Sequence, residues 1–507
     1  MKRQGFLDFR TGLGLVAAIV SLFAQRVAAE PTQVTTTNGP VIGQVADGVL
    51  SFKGIPYAAP PVGPLRWRPT QPPKSWTTPR AAKAFSPACP QSFAQSARFT
   101  EPTSEDCLYL NVFAPAKPSP KPLPVMVWIY GGSWTNGSGS RPLYDGSAFA
   151  RDGVILVSFN YRLGALGFFA HPLLTAEAGP TDPLFAYGHL DQVAALKWVQ
   201  ANIAAFGGDP ANVTVFGESA GGGSLLALLT LPQAKGLFAR AIAESAPAVV
   251  VPKSLNMAEK SGASYLAMKG VLATATLEDL RKLPADQLVG DYDATPIVDG
   301  RLQKETYLSA LKGGRATIVP MIIGTNSDEG SLVAYYAKLP DQMMFLFRAK
   351  LDAMRGLYGL PSTDDKTLGR QLFADTVFGA PSRLIAETIS QTAPAYLYRF
   401  AYLPEEDRAQ GSSPQIGVRH GGELEFVFAS LGRGWIKSPS PNDHQISDQV
   451  HACWVAFAKT GAPCPVWPAY QRSNDQTLVI DPSGLHAESG YRKPVYDAVL
   501  ATVLPGG

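Results

Sequence analysis

The 507-residue chain predicts an α/β fold: a large, mostly parallel central sheet with helices on both faces and helical insertions capping it. Two observations carry this. Short apolar runs of buried-strand length, at 108–113, 123–130, 154–160, 213–216, 239–245 and 318–325, are interleaved in the later part with helical patterns at 190–206 and 223–231. No low-complexity linker or charge block divides the chain, and no internal repeat is found, so one large domain is expected. Composition is ordinary for a protein with a sizeable core, 46% hydrophobic and 17% charged. The net charge of +3, from 44 basic and 41 acidic residues, gives no reason to expect nucleic acid or an anionic membrane surface as a partner.

Taken in order, residues 1–29 read as an export signal. Lys2, Arg3 and Arg10 form the basic end, 13–24 the apolar segment and Val27-Ala28-Ala29 a small-residue cleavage site. The apolar segment is shorter than the roughly 20 residues a bilayer span needs, although an uncleaved anchor is the alternative. The mature chain, 30–507, is therefore expected to be secreted or periplasmic, without a stable membrane anchor. Four cysteines suit an oxidising compartment. Cys89 and Cys107 are expected to pair across a Pro/Ser/Gln/Phe loop. The pairing of Cys453, on an amphipathic helix at 450–459, with Cys464 in the following turn stays open. Residues 35–43 and 49–57 look like antiparallel strands, a Pro-rich surface segment runs to Pro90, and 252–293 and 341–393 read as the helical insertions.

The chemistry centres on Gly217-Glu218-Ser219-Ala220-Gly221. A strand precedes it and a helix follows, which is the setting of a nucleophile elbow. Ser219 must then take a strained backbone conformation, and side chains two residues to either side would collide, hence Gly217 and Gly221. A serine nucleophile needs a base, and the base an orienting acid, in the chain order Ser, Asp or Glu, His. His171 and His189 precede the elbow. His444 falls in a polar Pro/Ser/Asn loop, His451 on the helix with Cys453 and His486 in the tail, and all five read as surface or satisfied core histidines. His420 follows the strand-like run 395–402 and precedes an amphipathic helix, which puts it at the carboxyl edge of the sheet. The strand 318–325 delivers Asp328 and Glu329 to the same edge. The glycine-rich loop after 123–130 offers the backbone N–H groups of Gly132 and Ser133 which, with that of Ala220, would form an oxyanion hole. Arg162 and Asp209, charges set in apolar motifs, are expected to hold neighbouring loops as a structural ion pair. No side-chain cluster has metal-ligand spacing, His420-Gly421-Gly422-Glu423 lacks the second histidine of a zinc motif, and no cofactor is expected.

Ser104-Glu105-Asp106-Cys107-Leu108-Tyr109-Leu110-Asn111 and Phe216-Gly217-Glu218-Ser219-Ala220-Gly221-Gly222 resemble the two signature stretches of type-B carboxylesterases, the α/β hydrolases that include cholinesterases and neuroligins. Val127-Trp128-Ile129-Tyr130-Gly131-Gly132, Asn160-Tyr161-Arg162-Leu163-Gly164, Phe206-Gly207-Gly208-Asp209-Pro210, Thr325-Asn326-Ser327-Asp328-Glu329-Gly330 and His420-Gly421-Gly422-Glu423-Leu424 look alike in the same order. The resemblance implies an α/β-hydrolase fold and a serine carboxylesterase acting on small-molecule esters. It favours Glu329 over Asp328 as the acid, Asp328 becoming a loop-capping residue and Glu218 a supporting group beside the nucleophile. Ser133 departs from the Gly or Ala usual in the family, which puts room for bulky alcohol groups in doubt. Cholinesterases carry a tryptophan for quaternary ammonium between the corresponding cysteines. This chain has only Phe93 and Phe99 there, so choline esters are not expected to be preferred unless Trp76 or Trp134 substitutes in space. An amidase, thioesterase or acyl transferase with the same triad, or a non-catalytic neuroligin-like binding protein, is the alternative. The intact Ser219, Glu329 and His420 set speaks against the last.

Overall fold

A computed structural model describes residues 32–91, 101–248, 253–336, 338–409 and 417–504. The expected signal at 1–29 and the aromatics Phe93 and Phe99 lie outside the described residues.

The strands run β1 (Gln33–Thr36), β2 (Gly39–Ile42), β3 (Gln44–Ala46), β4 (Val49–Pro56), β5 (Arg80–Ala81), β6 (Tyr109–Pro115), β7 (Leu123–Ile129), β8 (Ile155–Phe159), β9 (Gly208–Glu218), β10 (Arg240–Glu244), β11 (Met321–Asn326), β12 (Ala395–Phe400), β13 (Gln476–Asp481) and β14 (Gly484–Ser489). A small sheet, β1-β2-β5, lies apart from an 11-stranded sheet ordered β14-β13-β12-β11-β10-β9-β7-β8-β6-β4-β3. Its middle, from β8 to β13, is parallel, and both margins are antiparallel. Val125 to Ile129 on β7 are completely buried, which is why this strand reads as one apolar run rather than an alternating one. β9 occupies the centre. From β7 the chain steps outward to β8, then returns across β7 to β9 and continues to β10 and β11. The carboxyl ends of β7 and β9 therefore border the crevice where strand order reverses, the usual binding position in open α/β sheets.

The fold is an α/β hydrolase with a large mixed sheet, as expected, and several details differ. β9 starts at Gly208, earlier than the apolar run suggests, and the helix Ala220–Leu228 begins immediately after Ser219 rather than at 223. His444 lies not in a loop but inside the helix Pro441–Thr460, and the helix after His420 is a single turn, Leu424–Val427. The hairpin β13–β14 and the helix Lys493–Val503 were not anticipated. That helix explains how the second helical insertion is held: Val495, Tyr496 and Val499 share a separate small core with Phe347, Met354, Leu368 and Leu372. Arg162 is ion-paired with Asp191, both buried, and not with Asp209, which caps the Ala211 N–H at 2.9 Å. The buried guanidinium needs a bidentate partner, and Asp191 on the helix Tyr187–Asn202 supplies both oxygens at 2.8 Å.

Two disulfides, Cys89–Cys107 and Cys453–Cys464, close segments of 18 and 11 residues. Chain entropy gives each about 3 kcal/mol. Alkylation of the unreduced, denatured protein should modify no cysteine, and peptide mapping should recover these two pairs. An alkylated Cys89 or Cys453 would contradict the arrangement.

Candidate active site

β9 delivers Ser219 to the crevice with φ 54° and ψ −122°, a conformation that a non-glycine residue keeps only when its surroundings enforce it. Here the Ser219 N–H donates to the Glu244 carbonyl at 2.9 Å, and its own carbonyl accepts from the Gly223 N–H at 2.8 Å. The flanking glycines answer to space. A Cβ on Gly221 would lie 2.0 Å from the Ile129 carbonyl oxygen, and one on Gly217 would lie 2.7 Å from the Gly221 carbonyl carbon. The helix starting at Ala220 turns its unsatisfied first N–H groups and positive dipole end toward the serine.

The loop after β11 brings in Glu329. Glu329 is completely buried; its Oε1 accepts from the Asn326 N–H at 2.6 Å and from Ser245 Oγ at 2.5 Å, and its Oε2 is hydrogen-bonded to Nδ1 of His420. Asp328 faces elsewhere, in a two-pronged ion pair with Arg370 that includes an Nε–Oδ1 contact of 3.0 Å. It is thus an ion-pair partner rather than a loop cap. On the other edge of the imidazole, Nε2 lies 3.1 Å from Oε1 of Glu218. Neither atom has a hydrogen-bond partner, so the contact is an ion-pair distance without hydrogen-bond alignment, and Nε2 is not hydrogen-bonded to the Ser219 hydroxyl. Such bonds are commonly long before substrate binds.

Sequence reasoning missed three members of this site: Ser245, which supports Glu329, and the buried acids Glu244 and Glu423. Glu244 accepts from Trp454 Nε1 at 2.6 Å and Glu423 from Asn326 Nδ2. Glu423 stood in a quoted motif, and Glu244-Ser245 end the strand beside β9, so position was the available signal. Burial pushes Glu218 up to about 7 and Glu244 up to about 8, and raises Glu423 well above the carboxylate range. For Glu329 burial acts the same way, but the His420 charge and the hydrogen bonds from His420, Ser245 and Asn326 outweigh it and hold the carboxyl below its usual value. Burial lowers His420, whereas the carboxylates of Glu218 and Glu329 reverse this and lift it to about 9. The other histidines stand apart. His451 bonds the Val427 carbonyl, His486 meets Glu488, and His189 is buried with both ring nitrogens unpartnered and drawn down to about 4 by burial. His189 is therefore not a satisfied core histidine.

After β7 the chain takes three consecutive left-handed residues, Gly132 (φ 109°), Ser133 (φ 54°) and Trp134 (φ 58°). A Cβ on the preceding Gly131 would come within 2.9 Å of the Ser219 Cβ, so the loop lies against that serine. The N–H groups of Thr135 and Asn136 turn back onto the Gly132 carbonyl. Ser133 Oγ hydrogen-bonds the Tyr336 hydroxyl at 2.7 Å. Trp134 donates to Ser224 at 2.9 Å and, with Gly223, Leu226, Pro247, Ile297 and Tyr307, lines an apolar pocket of about 80 Å³ one helical turn from Ser219. Trp76 is placed differently, its indole bonded to the Pro40 carbonyl and covered by the Arg80 guanidinium.

The carboxylesterase family model matches residues 30–356 and 359–499. The para-nitrobenzyl esterase of Bacillus subtilis (strain 168) is 41% identical over 480 residues, covering 88% of this chain and 94% of that protein. The fumonisin B1 esterase of Sphingopyxis macrogoltabida is 36% identical over 476 residues, covering 88% and 86%. A solved PNB esterase structure superposes with a TM-score of 0.80 at 35% identity, covering 94% of this chain and all of the other. Since both the sequence match and the superposition run through nearly the whole chain, from the small N-terminal sheet to the C-terminal helix, the chain belongs to the carboxylesterase family.

Proposed function

We propose that this carboxylic ester hydrolase works through an acyl-enzyme, with Ser219 as nucleophile, His420 as general base and acid, and Glu329 as the group that orients the imidazole. The observation that carries the reading is the convergence at the β7–β9 crevice of a strained serine, a histidine whose Nε2 lies 3.1 Å from Glu218, the residue before that serine, and a buried carboxylate on that histidine's Nδ1. In the first half-reaction Nε2 takes the hydroxyl proton as Ser219 Oγ attacks the ester carbonyl. The same proton then goes to the departing alkoxide. Water repeats the sequence on the acyl-serine and releases the acid. The N–H groups of Gly132, Ser133 and Ala220 receive the developing oxyanion. The apolar pocket beside Trp134 favours an ester with at least one apolar side, and the para-nitrobenzyl esterase relationship points to the same class. Residues 30–507 act as one catalytic unit, and the two disulfides favour an extracytoplasmic setting.

Ser219→Ala should lower kcat on a p-nitrobenzyl ester by roughly 10⁴ to 10⁶, and a fluorophosphonate probe should label Ser219 alone. Labelling that survives the substitution would sink the assignment. Glu329→Gln should cost about 10⁴-fold because an amide favours the wrong imidazole tautomer, whereas Asp328→Asn should stay within about tenfold, its partner being Arg370. The reverse ranking would move the acid to Asp328.

The pH profile has a definite sign. His420 must be neutral to act as base, so kcat/KM rises with pH as the imidazole loses its proton, and the flanking carboxylates place that limb above the ordinary histidine range. Glu218→Gln removes a negative charge 3.1 Å from Nε2 and should move the limb to lower pH. A limb that stays in place or moves upward would show that Glu218 does not act on the imidazole.

A further inference from the structure

Beside the triad, but lined by none of its members, is a polar pocket of about 210 Å³ with Asp328, Arg370, Asp375, Arg399 and Arg492 among its walls. Its charges do not cancel. Arg370 is matched by Asp328, and Arg492 by Asp375 at 2.6 Å. Arg399, from β12, is only 4% exposed. It donates to Thr325 Oγ1 and to the Ser327 carbonyl, both at 2.9 Å and both neutral. Its Nε has no partner, and neither has the Nε of Arg492. No carboxylate lies within ion-pair distance of Arg399 among the described residues. A guanidinium cannot shed its proton, so a buried one without a counter-charge is held at a cost that a bound anion would relieve.

We propose that this pocket is a binding site for a small oxyanion, such as phosphate or a short carboxylate, gripped by Arg399 and Arg492 with Arg370 at its edge. The planar N–H fork of a guanidinium matches an oxyanion better than a halide. Ser327 and Asp328, which also line the pocket, immediately precede Glu329, so the bound anion braces the loop that carries the acid. Such a site would bind its anion whether or not the ester chemistry runs as proposed, since binding rather than turnover reports on it.

The test is thermal unfolding and calorimetric titration of the full chain with sodium phosphate, against sodium chloride at matched ionic strength. Phosphate should give a saturable rise in Tm of roughly 2–4 °C well above its Kd, with a measurable binding heat, and chloride should not. Arg399→Gln should abolish the response. Arg492→Gln, at the pocket rim, should weaken phosphate binding by about tenfold or more and serves if the first variant does not fold. Absence of any phosphate-specific shift or heat, an equal response to chloride, or a response retained by these variants would overturn the proposal.

Discussion

A methyl group on residue 221 would stand 2.0 Å from the carbonyl oxygen of Ile129, so the helix behind Ser219 can begin where it does only if that residue is glycine. The two backbones approach this closely because β7 and β9 are neighbours with Ile129 opposite Gly217, and the chain must leave β9 at once without meeting the end of β7. The sharp exit forces Ser219 into its strained conformation and presents its side chain to the crevice. The same approach sets the loop after β7 against the serine. The proposed nucleophile, the helix start and the proposed oxyanion loop thus follow from one backbone contact.

Around that contact lie four buried glutamates, three of which act on the His420 imidazole, and hydrogen bonding divides their roles. Glu329 has three donors: the Asn326 N–H, the Ser245 hydroxyl and His420 Nδ1. Oε1 of Glu218, Oε2 of Glu244 and Oε1 of Glu423 have none. Donors stabilise the charged form and desolvation opposes it, so one acid stays ionised in a region where its three neighbours are pushed toward the protonated form. Acids of one residue type are thereby separated into one held in the charged form against His420 and three that take up their charge only at higher pH.

Legibility in the sequence followed burial and chain locality. The central strands were readable because both faces are covered, and the elbow because its glycines are dictated by local collision. The outer hairpin β13–β14 was not: β14 has no fully buried residue and carries His486 and Glu488, so its pattern resembles a polar tail. The helix start at Pro441 was legible in principle, since Ser440 and Asp443 form a capping box with proline in the first turn, yet its Pro/Ser/Asn composition suggested a loop and misplaced His444. Arg162 was recognised as a paired charge, but Asp191, 29 residues on, is made its neighbour only by the tertiary fold. Glu329 was distinguished from Asp328 by family resemblance, because both leave the same strand; the deciding contact is Arg370, 42 residues from Asp328.

The consecutive left-handed residues 132–134 raise the question of what keeps the oxyanion loop in a conformation that two non-glycine residues would abandon. Fastening on both sides answers it. The Trp134 indole is tied to Ser224 on the helix behind Ser219, and its carbonyl accepts from the Gly164 N–H at 2.7 Å. Further along, Gln91 grips Gly137 twice, Oε1 accepting its N–H at 2.8 Å and Nε2 donating to its carbonyl at 2.9 Å, while the same Nε2 reaches the Cys89 carbonyl at 3.1 Å. Cys89 is anchored in turn by the disulfide to Cys107, two residues before β6. The covalent bond therefore bears on the site through a chain of hydrogen bonds: it fixes the segment that carries Gln91, Gln91 holds the far end of the loop, and the loop keeps its N–H groups beside the nucleophile. A cross-link whose stabilisation is usually assigned to the unfolded chain also supplies, here, part of the rigidity that the strained loop 132–134 requires.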